Sequence, residues 1–442
     1  VRINSYGCTA ADLKSFTARF GFEFTDGQKK AVNEIYSDMT GPRSMNRLLQ
    51  GDVGSGKTAV ALCAIYLAVK SGYQAVMLAP TEILAEQNFA LVRKFFPEYE
   101  CAFLSGSLKA KEKKAIKQGI SSGETKIVVG THAVLTDDVT FYNLSLCVCD
   151  EQHRFGVGQR SALVAKGMIP DVLVMSATPI PRTLSLIFYG DLDVTEITDK
   201  PKNRLPVQTN VVPERKYEGM IGFLAKTVAE GRQVFCVCPK IEEDEEGTLM
   251  SVTELFEELQ GRLPSVRVAL LHGKMKDAQK AEVMEKFKRH ETDLLVSTTV
   301  VEVGIDVPNA TVMVIYNAER FGLSQLHQLR GRVGRGSDKS YCFLYTSTDD
   351  EKSLERLKAL CESNDGFKIA EKDFEMRGGG DFLGTRQSGK FISDIGGLGF
   401  SPSVVFFAKR LCDEAFSRAE NLPSLKIAAM KKYEKLKDVA LN

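Results

Sequence analysis

The segment Gly51-Asp52-Val53-Gly54-Ser55-Gly56-Lys57-Thr58 sets glycines, a lysine and a hydroxyl at a spacing that can wrap a polyphosphate. Backbone N–H groups of such a turn face phosphate oxygens, and the positive end of the following helix adds to them. Lys57 then bridges the outer phosphates while Thr58 offers a ligand to Mg²⁺. The segment follows an apolar strand and opens a helix over 58–70, the context this chemistry needs. Asp150-Glu151-Gln152-His153 leaves the apolar run Leu144 to Cys149. Asp150 can therefore hold the metal opposite Thr58, and Glu151 can orient or deprotonate an attacking water. In Gln328-Leu329-Arg330-Gly331-Arg332-Val333-Gly334-Arg335, Arg332 and Arg335 are three apart and are expected on one helical face. Their guanidiniums can stabilise charge building on a transferred phosphoryl group, completing the site only when two lobes close on each other.

Weaker signals surround these. Ser176-Ala177-Thr178 ends a strand beside the acidic pair, where its hydroxyls can sense nucleotide; alone it would be a helix cap. Gln28 can pair its amide with an adenine edge, with Phe24 or Phe22 stacking nearby; the alternative is a helix cap followed by a surface glutamine. Five strand-end loops offer small hydroxyls and glycine N–H groups suited to a sugar-phosphate backbone. They centre on Thr81, Gly106, Thr131 with His132, Gly273, and Thr298 with Thr299. Spread over both halves of the chain, they suggest a track along one face.

Short apolar runs that alternate with amphipathic stretches must position these groups, the pattern of two successive parallel α/β sheets. In the first half the strands are expected at 47–50, 75–79, 101–104, 126–129, 144–149 and 172–175, and in the second at 233–238, 266–271, 293–297, 311–316 and 340–345. Asp199 to Pro206, polar and with two prolines, is expected to link the lobes. Ile241 to Gly247, with five acidic residues from Glu242 to Glu246, is expected to be a solvated loop. The domains are expected at 1–23 (linker or helical lead-in), 24–200 and 201–350 (the two lobes), and 351–442 (helical hairpin, loop and C-terminal helices). No tandem repeat shows by period, although the lobes can be related folds with diverged sequences.

The chain has 442 residues, and 58 Lys plus Arg against 57 Asp plus Glu leave a net charge of +1. That excludes a globally basic coat but not a local basic surface. No apolar run approaches the ~20 residues that span a bilayer, so no membrane association is expected. Cys147, Cys149, Cys236 and Cys238 sit inside apolar runs as buried strand residues of a cytoplasmic protein, and no ligand spacing for zinc is present.

Order and detail of these motifs resemble the superfamily 2 helicases, and within them the RecG family. The residues that carry the likeness are Asp150 to Val157, Met175-Ser176-Ala177-Thr178-Pro179-Ile180-Pro181-Arg182-Thr183-Leu184, Tyr189 to Val194, and Gly378 to Gly389. The resemblance implies two tandem RecA-like lobes with a C-terminal helical hairpin and extension. It also implies a bacterial ATP-dependent enzyme, using Mg²⁺, that moves on duplex DNA and remodels stalled forks and Holliday junctions as a monomeric motor. It places Asp306 near the ribose, Thr298 or Thr299 near the DNA backbone, and Arg377 and Gln387 in a loop that couples closure to translocation. Gly378-Gly379-Gly380 departs from the family's Gly-Pro-Gly and is expected to loosen that loop. The family's branch-splitting wedge domain has no counterpart before the motifs, so this chain is expected to hold the motor alone. Gln152 favours this family over the transcription-repair coupling translocases, which typically carry a second glutamate there. A non-hydrolysing nucleotide-switch scaffold is the alternative of a different class.

Overall fold

The computed structural model describes residues 4–150, 166, 169–177, 192–199, 205–239, 252–299, 307–334, 336, 338–381, 407, 410–412, 414–415, 423–424 and 427, without the side chains of 277, 374 and 377–381. They fall into two compact units, Val1–Pro179 with Asp193–Ile369, and Ile180–Leu192 with Ala370–Asn442.

The first unit holds two sheets, each the floor of a lobe. Lobe 1 runs α1 (Ala10–Thr17), α2 (Asp26–Thr40), β1 (Asn46–Gly51), α3 (Lys57–Lys70), β2 (Gln74–Leu78), α4 (Glu82–Phe95), β3 (Cys101–Leu104), α5 (Ala110–Ser122), β4 (Ile127–Gly130), β5 (Leu144–Cys149), β6 (Asp171–Ser176) and β7 (Asp193–Ile197). Lobe 2 runs β8 (Gln208–Pro213), α6 (Tyr217–Ala229), β9 (Gln233–Val237), α7 (Val252–Arg262), β10 (Val268–Leu271), α8 (Asp277–Lys288), β11 (Leu294–Ser297), β12 (Ala310–Ile315), α9 (Leu323–Arg330) and β13 (Tyr341–Thr346). A helix pair follows, α10 (Glu351–Glu362) and α11 (Gly366–Asp381).

Both sheets are parallel, with strand order β3-β4-β2-β5-β6-β1-β7 in lobe 1 and β10-β11-β9-β12-β13-β8 in lobe 2. β2, β4, β5, β6, β9, β11 and β12 are buried at every position, which is why they read as unbroken apolar runs rather than alternating ones. Cys147, Cys149, Cys236 and Cys238 lie buried in or beside these strands, as expected. Burial pushes the thiol of Cys238 up to about 12 and that of Cys147 well above its ordinary value. α3 is apolar all round because it is enclosed, buried from Ala59 through Val69. None of the helices among the described residues is long and apolar enough to cross a membrane.

The two sheets repeat one plan. At the start of β2, Gln74 donates to the Ile120 and Thr125 carbonyls at 2.8 and 2.7 Å and accepts from Asn143 N at 3.0 Å. At the start of β9, Gln233 donates to the Phe287 and Thr292 carbonyls at 2.6 and 2.8 Å and accepts from Asn309 Nδ2 at 3.2 Å. Each glutamine pins the loops that lead into its two neighbouring strands. This relates the lobes residue by residue where the sequence shows no repeat.

Of the two readings of residues 1–23, linker or helical lead-in, α1 (Ala10–Thr17) fits the second, and Cys8, Leu13 and Phe16 join the lobe 1 core, with Phe16 stacked on Tyr66 of α3 at 4.3 Å. Two expectations change. The boundary at 350 falls too early: Leu357 and Leu360 of α10 and Ile369 of α11 are part of the lobe 2 core. Backbone 378–381 continues α11 as helix rather than opening a loop; three glycines without a proline leave the helical hydrogen bonds intact. The C-terminal helices expected within 351–442 are represented beyond α11, among the described residues, by helical positions that include 407, 410–412 and 414–415.

Candidate nucleotide site and nucleic-acid face

β1 delivers the glycine-rich loop, and β1 is held on both sides, by β6 (Gln50 beside Ser176) and by β7 (Gly51 beside Ile197). Gly54 and Gly56 adopt φ of 78° and 83°, a left-handed conformation that side chains other than glycine rarely take. At Gly56 a Cβ would also lie 2.1 Å from Gln28 Nε2. The turn closes through Ser55 N to the Asp52 carbonyl at 3.1 Å. α3 then starts at Lys57 with no side-chain cap, so no side chain covers the positive end of the helix dipole where it meets the loop.

Lys57 is buried and its ammonium donates to the carbonyls of Gly51 at 2.6 Å and Asp52 at 3.0 Å. Ser55 Oγ is buried with no hydrogen-bond partner among the described residues. An uncapped helix end, a cationic amine and an orphaned hydroxyl around a left-handed glycine turn fit a polyphosphate.

Gln28 is buried, not a surface residue. Its Oε1 accepts from Thr25 N at 2.9 Å as the third residue of a capping box, and its Nε2 donates to the Ser55 carbonyl at 2.9 Å. It therefore braces the phosphate loop from α2, with one further hydrogen and one lone pair left on its amide. Phe24 is buried and stacks on Phe22, which is 54% exposed, so Phe22 is the ring able to receive a ligand face.

Asp150 stands at the carboxyl end of β5, on the same sheet edge as the loop, with Ser176 at the end of β6 between them. It is buried and accepts from Asn88 Nδ2 of α4 at 3.2 Å. Asn88 is a second-layer support that no motif singled out. Glu151, Thr178, Asp306, Arg335 and Gln387 lie outside the described residues, and of Arg377 only the backbone, within α11, is described.

Lobe 2 meets this loop through α9. His327 Nε2 lies 2.6 Å from Asp52 Oδ1, which also accepts from Val53 N at 2.7 Å. His327 Nδ1 lies 2.8 Å from Arg330 Nη2, and Arg330 Nη1 donates onward to the Leu360 and Ser363 carbonyls at 2.7 and 2.9 Å. A Cβ on Gly331 would meet Val53 at 2.9 Å, so the close approach of the lobes depends on that glycine. Gln328 and Arg332 are buried beside this contact. One expectation fails in detail. α9 ends at Arg330, the chain continues in tighter turns (Arg332 N to the Leu329 carbonyl at 3.0 Å), and Gly334 at φ 73° turns left-handed. Arg332 therefore lies past the end of the helix that was to carry it, while Arg335 lies outside the described residues.

The strand-end loops fall on equivalent positions of the two lobes. Thr131 follows β4 and its N–H meets the Leu104 carbonyl at 3.3 Å; Thr298 follows β11 and its N–H meets the Leu271 carbonyl at 3.4 Å. Gly106 follows β3 as Gly273 follows β10, and both are exposed. His132 is exposed, Thr81 and Thr299 are half-buried, and Thr131 and Thr298 are buried with their N–H groups engaged by the Leu104 and Leu271 carbonyls. Glu82 organises one of these loops, accepting from Ser105 Oγ at 2.6 Å and also from Ser107 Oγ.

Comparison with known proteins follows the same division. The DEAD/DEAH box helicase family matches residues 25–187 and the helicase conserved C-terminal domain matches 215–337. The chain is 46% identical over 430 residues to the ATP-dependent DNA helicase RecG of Synechocystis sp., covering 96% of this chain and 52% of that protein. It is 48% identical to RecG of Staphylococcus epidermidis over 85% of this chain and 56% of that protein. It thus spans about half the length of the curated relatives it matches. A structure of RecG bound to a three-way DNA junction superposes with a TM-score of 0.73 at 44% identity, over 84% of this chain and 49% of that one. The RNA-bound Mss116p structure, at 19% identity and a TM-score of 0.62, covers 79% of this chain and 75% of that one and shares the fold. On these identities and this shared architecture, the chain belongs to the RecG family of helicases.

Proposed function

We propose that this chain is the motor of an ATP-dependent DNA helicase that moves on duplex DNA and remodels branched DNA, including stalled forks and Holliday junctions. The observation that carries the reading is the Asp52–His327 contact, which joins the phosphate loop of lobe 1 to the arginine-bearing turn of lobe 2. The names of relatives at 46–48% identity support DNA as the track. Bound ATP with Mg²⁺ supplies the phosphoanhydride whose cleavage drives the lobes. Gly51 to Thr58 would bind it, with Thr58 and Asp150 holding the metal and Gln28 with Phe22 facing the base. Glu151 takes a proton from water, and Arg332 and Arg335 stabilise the charge that develops. Gln328 aligns that turn, while Ser176, Thr178, Arg377 and Gln387 pass closure on to the DNA-contacting elements. Because one chain carries both halves of the site, the motor needs no second copy, and we place it in the bacterial cytoplasm.

ATPase assays with duplex DNA, single-stranded DNA and RNA test the assignment: duplex DNA is expected to stimulate turnover, and stimulation by RNA alone would overturn it. Glu151→Gln is expected to lower kcat by about 10²-fold or more while ATP binding survives. Unchanged hydrolysis would remove Glu151 from its role.

A further inference from the structure

α5 and its N-cap carry a dense run of positive charge. Residues 109–117 contain Lys109, Lys111, Lys113, Lys114 and Lys117 against the single acid Glu112, in a chain of net charge +1. α5 presents Lys113, Lys114 and Lys117 along one side, at spacings of three and four residues. They line an open groove of about 490 Å³ whose opposite wall is Asp138 and Thr140.

The groove is continuous with the strand-end face. Lys113 donates to the Gly106 carbonyl at 2.6 Å, tying the start of α5 to the loop after β3. Lys117 pairs with Asp138, and Lys166 fixes the opposite wall from behind by donating to the Thr136 and Val139 carbonyls at 2.7 and 2.9 Å. Lys114 is exposed and makes no hydrogen bond or ion pair among the described residues. Three lysines and one carboxylate thus line a solvated trough in which only Lys117 is paired with that carboxylate. The lining runs from Ala110 to Ser121, about 16 Å of helix, too long for a single small anion.

We propose that this groove is a second binding site for the DNA phosphate backbone, beyond the strand-end loops. It rests on the duplex-DNA reading above and extends the track down the side of lobe 1. Lys114 contacts phosphate directly. Lys117 does so by exchanging Asp138 for the backbone, so Asp138 acts as a competing internal anion.

The test is the salt dependence of linear duplex binding by the full chain, compared with the single variants Lys114→Ala and Lys117→Ala and their double, with Asp138→Ala, and with Lys14→Ala on α1, which removes as much charge elsewhere as each single groove variant does. The slope of log K against log salt is expected to fall by about 0.9 for each groove lysine removed. Asp138→Ala is expected to tighten binding severalfold, and Lys14→Ala to match the parent. A double variant with the parent's slope, an Asp138→Ala that does not tighten, or an equal loss in Lys14→Ala would each overturn the proposal. So would lysine-dependent binding that is confined to RNA duplex. A parent chain that binds no duplex DNA even at low salt removes the underlying functional reading instead, a result distinct from normal binding with an unchanged double variant.

Discussion

His327 has its tautomer dictated by its neighbour. Arg330 has only donors to offer, so His327 Nδ1 must accept, which leaves the proton on Nε2 to be donated to Asp52. The imidazole is therefore a neutral link between a carboxylate of the phosphate loop and a guanidinium anchored on the α10–α11 turn. His327→Ala leaves the Arg330 donor without its acceptor inside the protein, a cost of about 1–3 kcal/mol. We expect kcat for ATP to fall more than KM rises, with partial rescue by His327→Gln, whose amide can both donate and accept. Full kcat in the alanine variant would refute the link. The sequence draws attention to the arginines of this stretch and passes over its histidine, because the partner that gives His327 its meaning lies 275 residues away. Gln28 was legible as a helix cap from Thr25 three residues before it, while its bond to the Ser55 carbonyl was not, being a tertiary contact.

Strands were legible in proportion to their burial. Those enclosed on both faces are uniform apolar runs and were found within a residue or two. β7, Asp-Val-Thr-Glu-Ile, and β8, which ends in Pro213, escaped notice because each is an edge strand with mixed polarity. The β10–β11 entry is held by a polar clamp that apolar patterning cannot reveal. Arg267 donates to Asp293 through Nε at 2.9 Å and Nη2 at 2.6 Å, and its backbone N–H adds a third bond at 3.0 Å. These bonds hold the Asp293 carboxyl below its ordinary value. A carboxyl lowered in the folded state stabilises at every pH above its unfolded value of ~3.9 and loses that contribution as pH falls through the folded value. Asp293→Asn is accordingly expected to cost about 1 kcal/mol at pH 7, the Arg267 side chain being largely solvated. Urea unfolding between pH 7 and pH 3 should show the two proteins converging toward the acid end. A constant gap would mean that the ionised carboxylate is not what matters.

Across the whole molecule, duplication of one lobe plan explains why the loops after β3 and β4 recur at the matching strand ends of β10 and β11. The repeat was invisible in sequence because what is kept is a hydrogen-bonding arrangement, Gln74 with Asn143 and Gln233 with Asn309, rather than a run of residues. Gln74→Leu would leave two carbonyls and one N–H buried without partners in lobe 1, and Gln233→Leu would do the same to its carbonyls in lobe 2. Each is expected to destabilise by about 3 kcal/mol. Hydrogen exchange should show the loss confined to β2, β4 and β5 for the first and to β9, β11 and β12 for the second. Acceleration spread equally over both sheets would contradict two separately pinned lobes.

The pairing of β1 also has a consequence for synthesis. The strand that carries the phosphate loop finds its neighbours only in β6 and β7, with Asn46 beside Val172 and Arg47 beside Asp193. As the chain leaves the ribosome at ~5–20 residues per second, β1 waits roughly ten seconds for the strands that flank it. β2 through β5 can assemble among themselves meanwhile. Nucleotide competence is thus the last property lobe 1 acquires, and a growing chain that has not yet produced residue 197 carries the complete glycine loop without the sheet that gives it shape.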